Sequence, residues 1–133
     1  MKVLFFGSDR VSTLTLQSLL KRSSNLKLHA ISPPATRSKT PLAEFHKTCD
    51  ENEIPVTPFH RYSEREDKSK QWDELSTMID GKFDFGVIAS FGQMIPSRVI
   101  DAFPTSSVGG RDISRLMVMH PSLLPKYRGS TPI

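Results

Sequence analysis

The sequence predicts an α/β fold, a doubly wound parallel sheet of about five strands with helices on both faces. Three observations predict it. Short apolar runs of strand length alternate along the chain with stretches of helical periodicity, the order that crossover helices between parallel strands produce. The first run, Val3–Phe6, is continuously apolar and closed by Gly7, as befits a strand covered on both faces. Stop and start signals separate the runs, among them Pro33-Pro34, Thr40-Pro41 and a short break before Pro96.

Taken in order, Val11, Leu14, Leu19 and Leu20 recur at roughly helical spacing after the first strand. Lys21-Arg22 then suit a helix C-terminus, where cations meet the negative end of the dipole. Leu26–Ile31 reads as the second strand, stopped by Pro33-Pro34. Thr40 serves as N-cap and Pro41 as first residue of a helix reaching about Glu51. Ile54-Pro55-Val56 is a short third strand. Ser63 with Glu66 three residues later makes a capping box, and Trp72, Leu75 and Ile79 share one face of the helix that follows. Trp72 is expected to pack rather than to bind a ligand. Phe85–Ala89 is the fourth strand, a short helix follows Pro96 through Val99 and Ile100, and Leu116–Met119 is the fifth strand, ending at His120. Ligands of such sheets bind beyond the carboxyl ends of the strands. Three loops occupy that edge: Gly7-Ser8-Asp9, Ser90-Phe91-Gly92-Gln93, and the segment from His120 onward.

Composition narrows the function classes. The 133 residues, 37% hydrophobic, suit one domain with a real core. No apolar run approaches the roughly 20 residues of a membrane helix, so no membrane partner is expected. A net charge of +4 permits an anionic partner without requiring one. The single cysteine, Cys49, allows no internal disulfide and fits a reducing compartment; it reads as a half-buried helix residue rather than a nucleophile. Four widely separated histidines and no Cys/His cluster imply no metal. The first residues already read as a strand, and the sequence shows no targeting segment ahead of them; either the protein needs no such address or the sequence begins after it. Gly7-Ser8-Asp9 lacks the G-x-G-x-x-G of dinucleotide binding, so no nicotinamide or flavin cofactor is inferred. A tight turn is the simpler reading there, although the helix N-terminus after it can help bind an anion. Ala35–Thr40 is polar and basic, either a solvated loop or a nucleic-acid contact.

The end of the chain is more specific. His120-Pro121-Ser122-Leu123-Leu124-Pro125-Lys126-Tyr127-Arg128-Gly129 resembles the H-x-SLLP-x-[YFW]-[RK]-G signature of formyltransferases that use 10-formyltetrahydrofolate. Val87–Pro96 is similar to their V-V-x-A-Y-G-x-I-L-P segment, and Val3–Gly7, Leu14–Leu20 and Ile54–Val56 resemble their first strand, first helix and third strand. Arg128-Gly129-Ser130-Thr131-Pro132-Ile133 is similar to the R-G-A-A-P-I of the methionyl-tRNA formyltransferase type. The resemblance implies a Rossmann-like sheet, incomplete here, with residues 1–133 as the N-terminal part of a catalytic domain. The later strands and a C-terminal tRNA-binding domain are then expected to be missing.

The resemblance also implies the chemistry. A methionyl α-amine attacks a folate-borne formyl carbon, so a proton must leave the amine and an oxyanion needs a donor. Imidazole exchanges protons near neutral pH, and His120 matches the family histidine. Phe91, Gly92, Gln93 and Ile95, with Ser122, Leu123, Leu124 and Pro125, are the expected folate-pocket walls. Arg37, Lys39 and Arg128 are expected to face methionyl-tRNA. No protein partner is implied. The expected location is mitochondrial in a eukaryote and cytoplasmic in a bacterium.

Two departures keep other readings open. Position 118 is Val where the family carries the Asn two residues before its histidine, and no residue matches the family's downstream Asp. Hydrolase domains of formyltetrahydrofolate dehydrogenases resemble this chain in having an aliphatic residue at that place, so hydrolysis of formyltetrahydrofolate is an alternative. A non-catalytic fragment is another. The link Gly109–Leu116 is also longer than the family usually has.

Overall fold

A computed structural model describes residues 1–35, 40–60, 68–120 and 126. Its elements are β1 (Lys2–Gly7), α1 (Arg10–Arg22), β2 (Lys27–Ser32), α2 (Pro41–Glu51), β3 (Val56–Pro58), α3 (Lys68–Ile79), β4 (Phe85–Ala89), α4 (Ser97–Ile100), β5 (Thr105–Val108), β6 (Arg111–Ser114) and β7 (Leu116–Met119).

Five of the strands form one sheet in the order β3-β2-β1-β4-β7, and every pairing in it is parallel. The chain builds outward from β1 to β3, then returns to the other flank of β1 with β4. Strand order therefore reverses between β1 and β4, which is where an open α/β sheet leaves a crevice at its carboxyl edge.

Alternation along the strands splits the core in two. Val3, Phe5, Leu28, Ala30 and Val87 pack with Leu16 of α1 and with Phe45 and Cys49 of α2. Leu4, Phe6, Ile31 and Ile88 pack with Trp72, Leu75 and Ile79 of α3, Val99 of α4, and Phe59, Phe91 and Phe103. Trp72 is thus a packing residue, its rings 4.4 Å from Phe59. Full burial of one such side chain is worth roughly 1.5–3 kcal/mol. Short helices gain little by themselves, so it is the two covered faces that hold the helices in place.

The structure corrects several expectations. In α1 the exposed residues include Val11 and Leu14, while Ser12, Thr13 and Leu16 are buried. The helix meets the sheet through hydrogen-bonded hydroxyls at its first turn, which apolar spacing does not register. Cys49 is fully buried rather than half-buried. Burial, aided by the Asp50 carboxylate, pushes its thiol up to about 11, so it is not a thiolate at neutral pH.

The third strand begins at Val56, two residues later than expected. Ile54 is instead used to close α2: its N–H donates to Cys49 O at 2.9 Å and that of Glu53 to Asp50 O at 3.1 Å, with Glu53 at φ 55°. This is a Schellman closure with Glu at the left-handed position that glycine usually fills.

The long link before β7 is a hairpin, β5 antiparallel to β6. Gly109 and Gly110 join the two strands at φ 59° and 75°, the positive pair a type I′ turn needs. The capping box at Ser63 and Glu66 lies outside the described residues.

Candidate functional site

Three neighbouring strands end abreast. Gly7 of β1 pairs with Ala89 of β4, and Ala89 with Met119 of β7. The next residues, Ser8, Ser90 and His120, therefore leave the same edge of the sheet side by side. The first two of the expected loops start at this edge together with His120; the residues that follow His120 up to Pro125 lie outside the described residues.

The turn from β1 into α1 is compressed against the end of β4. A Cβ on Gly7 would stand 2.6 Å from Ser12 Cβ, so only glycine lets the first turn of the helix approach so closely. Asp9 is the N-cap, its Oδ1 accepting from the Ser12 amide at 3.1 Å. Ser12 Oγ accepts from the amides of Ser8 at 2.9 Å and Asp9 at 3.3 Å, and donates to the carbonyl of Ala89. Ser8 Oγ donates to the carbonyl of Ser90 at 2.9 Å, and Ser90 Oγ donates to Asp9 Oδ2. Four polar side chains thus tie the first loop to the second.

The second loop turns sharply. Ser90 has φ 52° and Gly92 φ 74°, and between them Phe91 points inward. Its ring is 1% exposed, 5.4 Å from Phe6 and 5.7 Å from Phe59. Of the expected wall residues on this loop, Phe91 is a core anchor whose side chain does not reach the surface. Ile95 packs half-buried against the same core, Gln93 is half-buried, and Gly92 is exposed. What the loop can offer a ligand is backbone, the Gln93 amide and the Ile95 flank.

His120 is half-buried, one residue beyond β7. Val118, on the strand beside it and opposite Ile88, is 58% exposed. An imidazole at a sheet edge can exchange protons with a ligand seated there. Ser122, Leu123, Leu124, Pro125, Arg128, Arg37 and Lys39 lie outside the described residues. Among the described residues there is no cluster of His, Cys, Asp and Glu able to hold a metal ion, and no helix is long and apolar enough to cross a membrane. A small cavity of about 110 Å³ sits elsewhere, lined by Ile31, Thr57, Phe59, Gln71, Leu75 and Met78 among others, without residues of β4 or β7.

Ser8, Asp9 and Ser90 lie on loops expected at this edge, but Ser12 and the hydrogen bonds that join the four side chains are not expected from the sequence. The signal in the sequence was the Asp9-x-x-Ser12 spacing, a capping box with Ser in place of the usual Glu or Gln. Nothing local links it to Ser90, 81 residues away.

The sequence model of the family described as formyl transferase matches residues 1–133. The mitochondrial methionyl-tRNA formyltransferase of Bos taurus is 27% identical over 139 residues, which cover 99% of this chain and 28% of that protein. The methionyl-tRNA formyltransferase of Streptococcus uberis is 26% identical over 136 residues, covering 99% of this chain and 38% of that protein. The chain therefore spans well under half the length of these relatives. Among solved structures, phosphoribosylglycinamide formyltransferase from Bacillus halodurans superposes with a TM-score of 0.64 at 19% identity, over 97% of this chain and 60% of that one. That likeness shows the fold.

Proposed function

The chain belongs to the formyl transferase family, and from that premise we propose that the protein carrying it transfers formyl from 10-formyltetrahydrofolate to the amino group of methionyl-tRNA. The observation that carries the reading is the pairing of β4 with β7. It sets the Ser90–Gln93 loop beside His120 at the carboxyl edge, and the methionyl-tRNA formyltransferases align across nearly the whole chain.

In this reading the folate ring lies against the loop backbone and Ile95, and Ser122–Pro125 supply the further pocket wall that the family resemblance implies. The methionyl nitrogen forms a bond to the formyl carbon. The carbon's bond to the folate nitrogen breaks, and a proton passes from the amine toward that leaving nitrogen. His120 handles this proton. Arg37, Lys39 and Arg128 supply positive charge toward the tRNA phosphates, a contribution that salt weakens. The location follows the relatives, which include mitochondrial and bacterial proteins.

Val118 favours a second reading. Beside His120 the family Asn would offer an amide donor to the oxyanion, and valine offers none. Water as acceptor, giving formate and tetrahydrofolate, is the alternative outcome of the same site.

A chimera of residues 1–133 followed by the remaining length of the bovine relative tests both. With 10-formyltetrahydrofolate it is expected to form formyl-methionyl-tRNA slowly. Val118→Asn is expected to raise that rate about 10²–10³-fold, the usual worth of one oxyanion donor, and His120→Ala to abolish it. Formate released without tRNA, and unaffected by Val118→Asn, would establish the hydrolase instead. No turnover of the folate by either version would remove both.

A further inference from the structure

We propose that Asp9 is a positioning residue that holds the Ser90–Gln93 loop in its ligand-ready shape, acting through Ser90; the inference rests on the reading of that loop as a folate wall.

Ser90 and Glu53 are the only non-glycine residues with positive φ among the described residues. Glu53 is explained by the closure of α2. Ser90 has no helix to close. Its φ of 52° is what sends the ring of Phe91 down between Phe6 and Phe59 and leaves Gly92 exposed above. A side chain adopts that backbone region only when its surroundings hold it there. The surroundings are the polar residues of the β1–α1 turn. Ser12 Oγ holds the carbonyl just before the turn, Ser8 Oγ holds the carbonyl of Ser90 itself, and Asp9 Oδ2 takes the Ser90 hydroxyl.

Asp9 does two separable things. Its Oδ1 caps α1 through the Ser12 amide at 3.1 Å, which any good N-cap residue does. Among the described residues its Oδ2 serves only the loop. A helix cap needs one oxygen, so the second carries the positioning role. The two roles can be cut apart. Asp9→Ser keeps an N-cap hydroxyl but has no second oxygen. Asp9→Asn keeps both reaches, because its amide nitrogen can donate to Ser90 Oγ. Ser90→Ala removes the hydroxyl and leaves the cap untouched.

The test titrates the 133-residue chain and these variants with 5-formyltetrahydrofolate, a stable formyl folate, by calorimetry. Amide exchange at Phe91, Gly92 and Gln93 is measured alongside. Asp9→Ser and Ser90→Ala are each expected to weaken binding about tenfold and to speed exchange at those three amides. Combining them should cost no more than either alone, as for two ends of one interaction. Asp9→Asn should stay near the parent, and the midpoint of thermal unfolding should not track the loss. Parental binding with unchanged affinity in the variants would overturn the inference and leave the folate reading standing, as would additive losses that follow the thermal midpoint. A parent chain that does not bind the folate would remove that reading, and the role assigned to Asp9 with it.

Discussion

His29 on β2 is a histidine that the proposed chemistry does not use. Its Nε2 is 2.7 Å from Thr57 Oγ1, and its ring meets Phe83 edge-on at 5.9 Å. Burial lowers its pKa from the ordinary value of 6.5, so the folded protein keeps it neutral where the unfolded chain would charge it. As pH falls through about 6.5 the unfolded state takes up a proton that the folded state refuses, and stability drops. The drop continues until the lower folded pKa is passed. Thermal unfolding between pH 7.5 and 5 is therefore expected to show a falling midpoint. His29→Gln, which keeps a partner for Thr57, should flatten part of that slope. An identical slope in the variant would show that other groups carry it.

The end of α2 shows the same kind of local compromise across an element. Glu53 occupies the left-handed position of the closing motif at φ 55°, where a residue with a Cβ is strained by about 1–2 kcal/mol. Glu53→Gly should relieve that strain, less what the unfolded chain gains in freedom. The net expected stabilisation is about 0.5–1 kcal/mol, read as a higher urea midpoint with unchanged slope. This closure also explains what the sequence could and could not reveal. β1, β2 and β4 are apolar runs whose burial follows from composition, β7 is an apolar run that stays largely exposed, and the ends of β4 and β7 lead directly to the Ser90–Gln93 loop and His120. Ile54 looked like a strand residue because it is apolar and β-branched, yet it is spent on capping. β5 and β6 carry Thr, Ser, Arg and Asp and bury almost nothing, so no hydrophobic pattern marks them. The Gly109-Gly110 pair is a turn signal, but by sequence the stretch reads only as a long link. The first turn of α1 was misread because Ser12 is buried by hydrogen bonds rather than by apolar contact.

At the scale of the whole molecule the sheet is unevenly protected. Among the described residues β7 pairs only with β4, and Met117, Val118 and Met119 are 54%, 58% and 44% exposed. Successive residues of a strand point to opposite faces, so apolar surface is open on both sides of this edge. Thr15 Oγ1 reaches Met119 Sδ at 3.2 Å, a slender cover from α1. Open apolar edges template pairing with other chains. The purified chain is therefore expected to associate with rising concentration in sedimentation velocity. Met117→Lys with Val118→Lys should return it toward a monomer, and a parent that stays monomeric at high concentration would refute the expectation.

The strand order also bears on how the protein is made. The ribosome delivers β1, β2 and β3 in the order in which they pair, so this flank can zip up as it emerges. The other flank of β1 has to stay open until β4 arrives. From Ser32 to Ala89 that is a wait of about 3–11 s at the usual 5–20 residues per second of synthesis. Through it the middle strand of the five, β1, is an apolar rim on a nascent chain. The interval is one in which a chaperone has something to hold, and it closes when Phe85–Ala89 takes its place beside Val3–Gly7.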